Sequence, residues 1–360
     1  MKLLVTGGAG FIGSALVRRL VRHGHRVLNL DKLTYSGDPS TVAEVADSPL
    51  YSFVHADITD GEAVRAAFQA FRPDGVLHLA AESHVDRSID GPMPFVQTNV
   101  VGAVVMLQAA QEYWQDLEAA AKTDFRFVHV STDEVYGSLA LEGDDRFTET
   151  TPRAPTSPYS ASKAAADHFA RAWFHTYGLP VIITNCSNNY GPYQYPEKLI
   201  PMVIHSALAG QPIPIYGQGL NVRDWLYVDD HVTGMIAALE RGRPGSNYNF
   251  GGNAPMANLA LARRLCALLD EFHPAGAPHD RLITHVADRP GHDLRYAVDY
   301  GLATAELGWT PTMDLEKGLR TTVRWYLDNS AWCLHIRTKD KAGMTVGARQ
   351  GLGRVAQPVD

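Results

Sequence analysis

The sequence predicts an α/β fold built on a doubly wound parallel sheet, followed by a smaller mixed C-terminal domain. Three observations support this prediction. Short apolar strands alternate with amphipathic helices through the first half of the chain, the pattern of a parallel sheet covered by helices on both faces. A glycine-rich turn joins the first strand to the first helix. After residue 185 the alternation becomes less regular, so we place the second domain there.

The composition argues against several classes of protein. The chain has 360 residues, 45% of them hydrophobic, and a formal net charge of −7. It is long enough for one large or two modest domains and lacks the basic character of a nucleic-acid binder. Cys186, Cys266 and Cys333 are far apart, which favours reduced thiols in the cytoplasm over disulfides or a metal site. We find no signal peptide and no apolar run near the roughly 20 residues that span a bilayer, so we expect no membrane partner.

In the first half, each predicted strand is a short apolar run and each predicted helix has one apolar face. Residues 139–158 are charged and rich in Thr and Pro and predict a surface loop, and the polar stretch 185–192 predicts another. We expect the third helix to break near Trp114. The predicted strands are 2–6, 27–30, 51–55, 76–80, 125–130 and 180–184, and the predicted helices are 14–23, 61–71, 94–121 and 159–177.

The glycine-rich turn, with Gly7, Gly10 and Gly13, has the spacing of a dinucleotide-binding loop. Glycines let backbone N–H groups approach a pyrophosphate, and the N-terminus of the following helix is partly positive. Asp31 ends the second strand eighteen positions after Gly13. Its carboxylate can accept both hydroxyls of an adenosine ribose, which favours NAD over NADP. Lys32 leaves NADP open, because its ammonium could meet a 2′-phosphate.

Polar residues follow several predicted strands where each strand ends. Asp57, Ser83 and the trio Thr132, Asp133 and Glu134 all stand at such ends, and ligands of parallel sheets bind beyond the carboxyl ends of the strands. Two adjacent carboxylates after a buried strand repel each other and lose hydration. A simple helix cap is the alternative, but the shared edge favours a ligand-binding role for the trio.

Tyr159 and Lys163 begin the fourth helix and are four positions apart, so they share one helix face. A free tyrosine has a pKa of about 10, and lowering it to about 7 requires roughly 4 kcal/mol. A nearby ammonium and a nicotinamide cation could supply this energy. The ordinary interpretation of this spacing is a Tyr and a Lys exposed on a helix surface. Because a dinucleotide-binding loop precedes them in the chain, we favour a catalytic role.

The second half contains shorter elements. We predict helices at 198–208, 229–240 and 258–272 and strands at 213–216, 225–228 and 248–250. Lys198, Arg223 and Arg289 are cations that could face a diphosphate, although each one alone fits a solvated surface charge equally well. The last segment, 337–360, is rich in Gly, Arg and Lys without periodicity, which predicts a disordered tail.

The dinucleotide loop, the Asp57-Ile58 pair and Tyr159-x-x-x-Lys163 together resemble the extended short-chain dehydrogenase/reductases that act on nucleotide sugars. Within that group, residues 79–88, 131–137, 185–194, 223–225 and 288–293 resemble the dTDP-glucose 4,6-dehydratases. The resemblance extends from residue 1 to about 332. Its most specific feature is Asp133 beside Glu134, because related epimerases lack the acidic pair and other dehydratases usually have the Glu alone. The spacer 219–222 before Arg223 is less typical.

The resemblance implies a Rossmann-type NAD-binding domain over residues 1–185 and a nucleotide-sugar-binding domain over 186–336, with some segments returning to the first domain. It implies a lyase that removes water from dTDP-glucose through transient C4 oxidation by NAD. In that reaction Tyr159, with Lys163 and Thr132, takes the proton of the C4 hydroxyl. Glu134 removes the C5 proton, and Asp133 protonates the departing C6 hydroxyl.

The fingerprint and the resemblance together imply two sets of binding residues. The cofactor set is Gly7, Gly10, Phe11, Ile12, Gly13, Asp31, Lys32, Leu33, Thr34, Asp57, Ile58, Leu79, Ala80, Ala81, Glu82, Ser83, Thr98, Tyr159, Lys163 and Asn189. The substrate set is Ser83, Thr132, Asn188, Lys198, Leu199, Pro214, Ile215, Tyr216, Arg223, Asn258, Arg289, Pro290, Gly291 and His292.

Two alternatives stay open at this stage. One is another NAD-dependent nucleotide-sugar dehydratase or epimerase of the same fold, and the other is a non-catalytic NAD-binding module. The resemblance further implies a homodimer that pairs the helices 94–121 and 159–177, a cytoplasmic location and a role in deoxysugar biosynthesis such as that of rhamnose.

Overall fold

The computed structural model describes residues 1–347. Its strands form two groups, one before and one after residue 187, and a single later strand joins the first group. In chain order the strands are β1 (Lys2–Thr6), β2 (Arg26–Asp31), β3 (Tyr51–His55), β4 (Gly75–His78), β5 (Arg126–Thr132), β6 (Val181–Cys186), β7 (Asn188–Tyr190), β8 (Ile213–Tyr216), β9 (Val222–Tyr227), β10 (Asn247–Phe250), β11 (Pro255–Ala257) and β12 (Ile283–Val286).

The helices surround these strands and connect them. In chain order they are α1 (Phe11–Arg22), α2 (Gly61–Phe71), α3 (Val85–Asp90), α4 (Met93–Phe95), α5 (Ala103–Gln115), α6 (Ala119–Asp124), α7 (Pro158–Tyr177), α8 (Leu199–Leu208), α9 (Val228–Arg241), α10 (Asn258–Phe272), α11 (Gly301–Leu307), α12 (Leu315–Asp328) and α13 (Ser330–Gly347).

The main sheet has seven strands within residues 1–347, in the order β3-β2-β1-β4-β5-β6-β10. Every adjacent pair is parallel. The strand order reverses between β1 and β4, and a ligand crevice forms at such a switch point beyond the carboxyl ends of the strands. The doubly wound fold class predicted from the sequence is therefore confirmed.

Helices cover both faces of the main sheet because its central strands are apolar on both sides. Leu4 of β1 packs with Phe68 of α2 and Met106 of α5 on one face. Its neighbours Leu3 and Val5 point to the other face and pack against α1 and α9. This alternation follows the two-residue period of a strand. Burying one such leucine completely contributes about 1.5–3 kcal/mol.

The smaller unit has its own core. Tyr190 of β7, Ile204 of α8, Trp225 of β9, Leu265 of α10 and Val323 of α12 lie in one buried cluster. Its strands form a β11-β9-β7 sheet and a β12-β8 pair. The sequence predicted a loop at 185–192, but Asn188–Tyr190 pairs with β9. Its polar side chains concealed a strand whose side chains are mostly buried.

From the sequence we expected no apolar run near bilayer length, but the helix Met93–Gln115 is of that length. It joins α4, a π-helical segment (Val96–Gly102) and α5. Among the described residues it is the one helix that is long and apolar enough to cross a membrane. Of the 18-residue stretch that meets this criterion, 44% is buried inside the molecule. The predicted break near Trp114 falls between this helix and α6, which starts at Ala119.

The C-terminal tail predicted from residue 337 requires a correction. Helix α13 continues to Gly347, so residues 337–347 are helical. Cys333 and Ile336 are buried on this helix, and Trp332 packs against the core of the smaller unit. This apolar face anchors the first turns of the helix, just before the segment in which composition predicted disorder. Residues 348–360 lie outside the described residues.

Candidate active site

The turn between β1 and α1 forms a cradle of backbone groups. A Cβ atom on Gly13 would lie 2.1 Å from the carbonyl oxygen of Gly7, so only glycine fits there. Gly7 has φ of +73°, which glycine adopts without strain. Helix α1 begins directly after Gly10 without a side-chain cap. Its free N–H groups and helix dipole suit a pyrophosphate, so this turn fits a dinucleotide.

The carboxylate of Asp31 lies beside this turn. It accepts hydrogen bonds from the backbone N–H of Ala9 at 2.9 Å and of Leu33 at 2.8 Å. These bonds fix the carboxylate at the end of β2, where it can meet an adenosine ribose. The ammonium of Lys32 lies 2.5 Å from the carboxylate of Asp57. Because Lys32 already has an anionic partner, the geometry favours NAD over NADP.

Thr132, Asp133 and Glu134 lie where β5 ends and a short 3-10 turn (Asp133–Tyr136) begins. The Thr132 hydroxyl accepts a hydrogen bond from the backbone N–H of Glu134 at 3.3 Å, so it does cap this turn. Asp133 is 2% exposed, and its Oδ2 has no hydrogen-bond partner among residues 1–347. An unpartnered buried carboxyl oxygen is costly, which suits a group used for chemistry.

The two carboxyl groups have different electrostatic surroundings. Burial raises the pKa of Asp133 well above its usual value, and the nearby Glu134 and Asp224 carboxylates raise it further. Burial also raises the pKa of Glu134, but Arg223 and Arg289 oppose that shift. Both pKa values are raised, that of Asp133 further than that of Glu134, so Asp133 holds its proton more tightly than its neighbour. A difference of this kind suits an acid beside a base.

Helix α7 holds Tyr159 and Lys163 next to this pair. Ser157 and Ser160 form a capping box that fixes the start of the helix. The backbone N–H of Tyr159 donates to the Ser88 hydroxyl at 3.1 Å, and the Lys163 ammonium donates to the Val130 carbonyl at 2.8 Å. Both side chains are at least nine-tenths buried.

Burial raises the pKa of Tyr159 well above its usual value, and the Glu134 carboxylate raises it further. A hydrogen bond with Thr132 acts in the opposite direction. From the sequence we expected a lowered pKa for Tyr159. The surrounding protein groups alone raise this pKa. Tyr159 can act as a base only when positive charge is close to it, which gives Lys163 and a cofactor cation a defined task.

Most of the predicted residues line one cavity of about 300 Å³. It joins the glycine turn, the catalytic trio, Tyr159 and Lys163. Leu33 is absent from its lining, because it contributes its backbone N–H to Asp31. The predicted residues that line this cavity are Gly7, Gly10, Phe11, Ile12, Gly13, Asp31, Lys32, Thr34, Asp57, Ile58, Leu79, Ala80, Ala81, Glu82, Ser83, Thr98, Thr132, Asp133, Glu134, Tyr159, Lys163, Asn188, Asn189 and Lys198.

The other predicted substrate residues do not line this cavity and differ in their surroundings. Asp86 accepts hydrogen bonds from Arg289 at 2.8 Å and from the Tyr216 hydroxyl at 2.9 Å. Ile215 is 2% exposed, so its side chain belongs to the core and is not a surface for a ligand. The full set outside the lining is Leu199, Pro214, Ile215, Tyr216, Arg223, Asn258, Arg289, Pro290, Gly291 and His292.

Sequence reasoning missed two residues of this region. Tyr296 is buried under the guanidinium of Arg223, 4.2 Å from its ring centre, and it interacts electrostatically with Glu134. Glu197 lines the cavity and accepts a hydrogen bond from Tyr35 at 2.9 Å. No local motif marks Tyr296. Glu197 had a signal, since it directly precedes the predicted Lys198.

No group of three or more His, Cys, Asp or Glu side chains that could hold a metal ion occurs among residues 1–347. The carboxyl pair, Tyr159 and Lys163 lie beside a cradle that fits a dinucleotide.

The fold and this site define an extended short-chain dehydrogenase/reductase of the type that modifies nucleotide sugars. A family model described as GDP-mannose 4,6 dehydratase matches residues 4–322. The chain belongs to that family.

Individual relatives agree with this assignment. The chain is 54% identical over 340 residues to a dTDP-glucose 4,6-dehydratase of Neisseria meningitidis serogroup B, covering 93% of this chain and 96% of the relative. It is 52% identical over 346 residues to dTDP-glucose 4,6-dehydratase 1 of Escherichia coli K12, covering 94% and 96%. The resemblance inferred from the motifs is confirmed.

Solved structures give the same result. The dTDP-glucose 4,6-dehydratase of Bacillus anthracis, solved in complex with NAD, superposes with a TM-score of 0.83 at 43% identity, covering 93% of this chain and 99% of that one. A UDP-glucose 4-epimerase of Thermotoga maritima superposes with a TM-score of 0.80 at 30% identity, covering 92% and 100%.

Proposed function

We propose that the protein is an NAD-dependent dTDP-glucose 4,6-dehydratase, which converts dTDP-glucose to dTDP-4-keto-6-deoxy-glucose and water. The observation that supports this most strongly is the pair Asp133 and Glu134 beside Tyr159, whose surroundings raise the pKa of Asp133 further than that of Glu134. A sugar epimerase needs the tyrosine but has no water to eliminate, so it has no task for this pair.

The glycine turn and Asp31 would hold NAD. Bound NAD would accept a hydride from C4 of the sugar and return it to C6 later in the same turnover. Tyr159 takes the proton of the C4 hydroxyl, and the ammonium of Lys163 stabilises the phenolate that receives it. The Thr132 hydroxyl, which interacts with Tyr159, orients the same oxygen.

The carboxyl pair performs the elimination. A ketone at C4 acidifies the C5 proton, which Glu134 removes. Asp133 gives its proton to the C6 hydroxyl, which leaves as water as the C5–C6 double bond forms. Glu134 then returns its proton to C5 when hydride reaches C6. Two carboxyls are needed because one must be ionised while the other is protonated.

Three cations would hold the diphosphate. Burial lowers the pKa of Lys198, and its ammonium donates to the Ser83 carbonyl at 2.8 Å. Arg223 and Arg289 do not line the cavity, but both act electrostatically on Glu134, which does line it. A guanidinium can bind two phosphate oxygens at once.

The proposal is tested with purified protein, NAD and dTDP-glucose. The expected product is a 4-keto sugar nucleotide, detected by its absorbance in alkali and by a mass lower by one water. Absence of this product from a folded protein would contradict the proposal.

A second candidate is the same reaction on another nucleotide sugar, because the matching family model is described by GDP-mannose. Parallel assays with dTDP-glucose, UDP-glucose and GDP-mannose distinguish the two. Loss of water with dTDP-glucose alone would exclude the second candidate, and an inverted but still hydroxylated product would indicate an epimerase.

We further propose that residues 1–185 form the NAD-binding domain and that 186–336 form most of the nucleotide-sugar domain. We also propose a homodimer paired through α4–α5 and α7. Met93, Val96 and Val101 on the first helix and Phe169 and Tyr177 on the second are exposed apolar side chains, with Met93 67% exposed. Exposed apolar side chains of this kind suit an interface.

The buried free cysteines among the described residues suit a reducing cytoplasm. A 4-keto-6-deoxy product suits deoxysugar biosynthesis, including that of rhamnose.

A further inference from the structure

A buried ionic cluster lies beneath the cavity, on the side of β5 that faces α7. At its centre is Asp167, whose side chain is fully buried. The Arg153 guanidinium donates to it at 3.0 Å, Nε2 of His129 lies 3.4 Å from it, and the Asn185 amide donates to it at 3.4 Å. The proposed reaction assigns no task to any of these groups.

The carboxylate of Asp167 is ionised. Burial alone would raise its pKa, but the contacts with His129 and Arg153 lower it to about 2. A buried charge is costly unless it is paired. This chain therefore maintains a full negative charge inside the protein at neutral pH, one helical turn from the catalytic site.

Asp167 is four positions after Lys163 on α7, so the two side chains share one helix face. Burial lowers the pKa of Lys163, and Asp167 is the largest influence that raises it. Both side chains also contact β5 at adjacent residues, since Lys163 donates to the carbonyl of Val130 and Asp167 faces His129.

Other titratable groups face the Lys163 ammonium from the neighbouring strands and from its own helix. They are His78 of β4, His129 of β5, Cys186 of β6, and Tyr159 and Asp167 of α7. Burial lowers the pKa of both histidines and raises the pKa of Cys186 and Tyr159, so these four are neutral at neutral pH. Of the five groups, Asp167 is the one that is ionised.

We propose that Asp167 is a positioning residue for the C4 oxidation step, which acts by keeping the Lys163 ammonium charged beside Tyr159. This inference rests on the proposed function. Asp167 does not line the cavity that would hold the sugar and the cofactor. The negative charge of Asp167 offsets the free-energy cost of burying the Lys163 ammonium. The charged ammonium in turn stabilises the phenolate form of Tyr159. Arg153 and His129 keep Asp167 ionised.

The test compares two variants, because removing one partner of a buried ion pair destabilises a protein far more than removing both. Asp167→Glu keeps a carboxylate at this position, with Arg153 as its partner, and is the matched control. Arg153→Gln combined with Asp167→Asn removes the carboxylate. Formation of NADH on rapid mixing with NAD and dTDP-glucose is followed from neutral to alkaline pH, with thermal unfolding of each variant measured at the same values.

Without Asp167 the ammonium loses its proton at lower pH, so the alkaline limb of the rate profile moves to lower pH. Relative to Asp167→Glu, the double variant should lose about tenfold more rate at alkaline than at neutral pH, since an opposite charge nearby shifts a pKa by at least about one unit. Asp167→Glu, which keeps the charge, should leave the limb in place.

A rate that falls by the same factor at every pH would overturn the inference and leave Asp167 a structural role only. A limb that moves equally in Asp167→Glu would do the same. If the unmodified protein forms no 4-keto product from dTDP-glucose, the proposed function fails and this inference fails with it. If the product forms but the variants lose rate equally at every pH, this inference alone fails, so the two failures are distinguishable.

Discussion

Asp133 and Glu134 are neighbours in the chain but lie in different surroundings. Asp133 is 2% exposed and lies close to two other carboxylates, Glu134 and Asp224. Glu134 is only partly buried and is within the influence of three cations, Arg223, Arg289 and Lys198. Two adjacent positions of the chain thus place their carboxyl groups in different electrostatic surroundings.

Glu134→Gln should separate the two halves of the reaction. The variant retains Tyr159 and Lys163, so it should still reduce bound NAD when dTDP-glucose is added. It lacks the C5 base, so turnover should fall by roughly 10²–10⁴-fold. NADH absorbance should accumulate while the 4-keto-6-deoxy product does not.

Tyr159→Phe is the comparison variant for that experiment, because it should block NADH formation itself. Full turnover in Glu134→Gln would show that Glu134 is not the base.

Asp133→Asn should stabilise the protein while it stops water loss. A carboxyl whose pKa is raised by folding binds its proton more tightly in the folded chain, so stability falls as the pH rises above its unfolded value of about 3.9. Removing the carboxyl should therefore add about 1 kcal/mol to the free energy of unfolding at neutral pH. The gain should shrink as the pH approaches 4, as followed by thermal unfolding.

Asp230→Asn is the matched control. Asp230 is also buried, but its carboxylate accepts hydrogen bonds from Thr312 and Met313 at 2.7–3.0 Å. Its replacement should destabilise the protein by about 1–3 kcal/mol. Equal losses in both variants would contradict the strain assigned to Asp133.

At the scale of single elements, the β1–α1 turn is the most constrained part of the site. It brings the backbone of Gly13 so close to Gly7 that a methyl group has no space. The strands of the main sheet were predictable because buried parallel strands form unbroken apolar runs. Strand β7 and helix α13 could not be predicted in this way. The side chains of β7 are polar, and the burial of α13 depends on partners that are distant in the sequence.

Gly13→Ala should abolish cofactor binding. The added methyl must displace the Gly7 carbonyl, which is backbone and cannot swing aside. We expect the affinity for NAD to fall at least about 100-fold, since a distorted cradle loses several backbone hydrogen bonds. Calorimetric titration with NAD measures this.

Gly91→Ala is the control, because a Cβ there meets its first neighbour at 3.9 Å. Tight binding of NAD by the Gly13→Ala protein would contradict the role of the turn as a cradle.

At the scale of the whole molecule, the site draws on both units. The sequence predicted the cofactor side well, because its glycines, acid and Tyr-Lys pair form local motifs with fixed spacing. It predicted the substrate side less completely. Tyr296 reaches Glu134 only because β9 and the segment near Arg295 pair in space, and no spacing rule encodes that contact.

A charged residue on the exposed apolar helices should separate the proposed dimer. Val96→Glu places a carboxylate on a side chain that is 40% exposed on the helix Met93–Gln115. The expected result is a monomer by size-exclusion chromatography with light scattering. Leu220→Glu, a 56% exposed residue on another surface, should leave the mass unchanged. A monomeric unmodified protein would contradict the proposed dimer.

The strand β10 has a consequence for how the protein is made. It completes the main sheet beside β6, yet it begins at Asn247, after β7, β8, β9 and helix α9 have been synthesised. A nascent chain that ends near residue 186 has an unpaired edge at β6 and an uncovered face where α9 will pack. The main sheet is therefore complete only after part of the second unit has been synthesised.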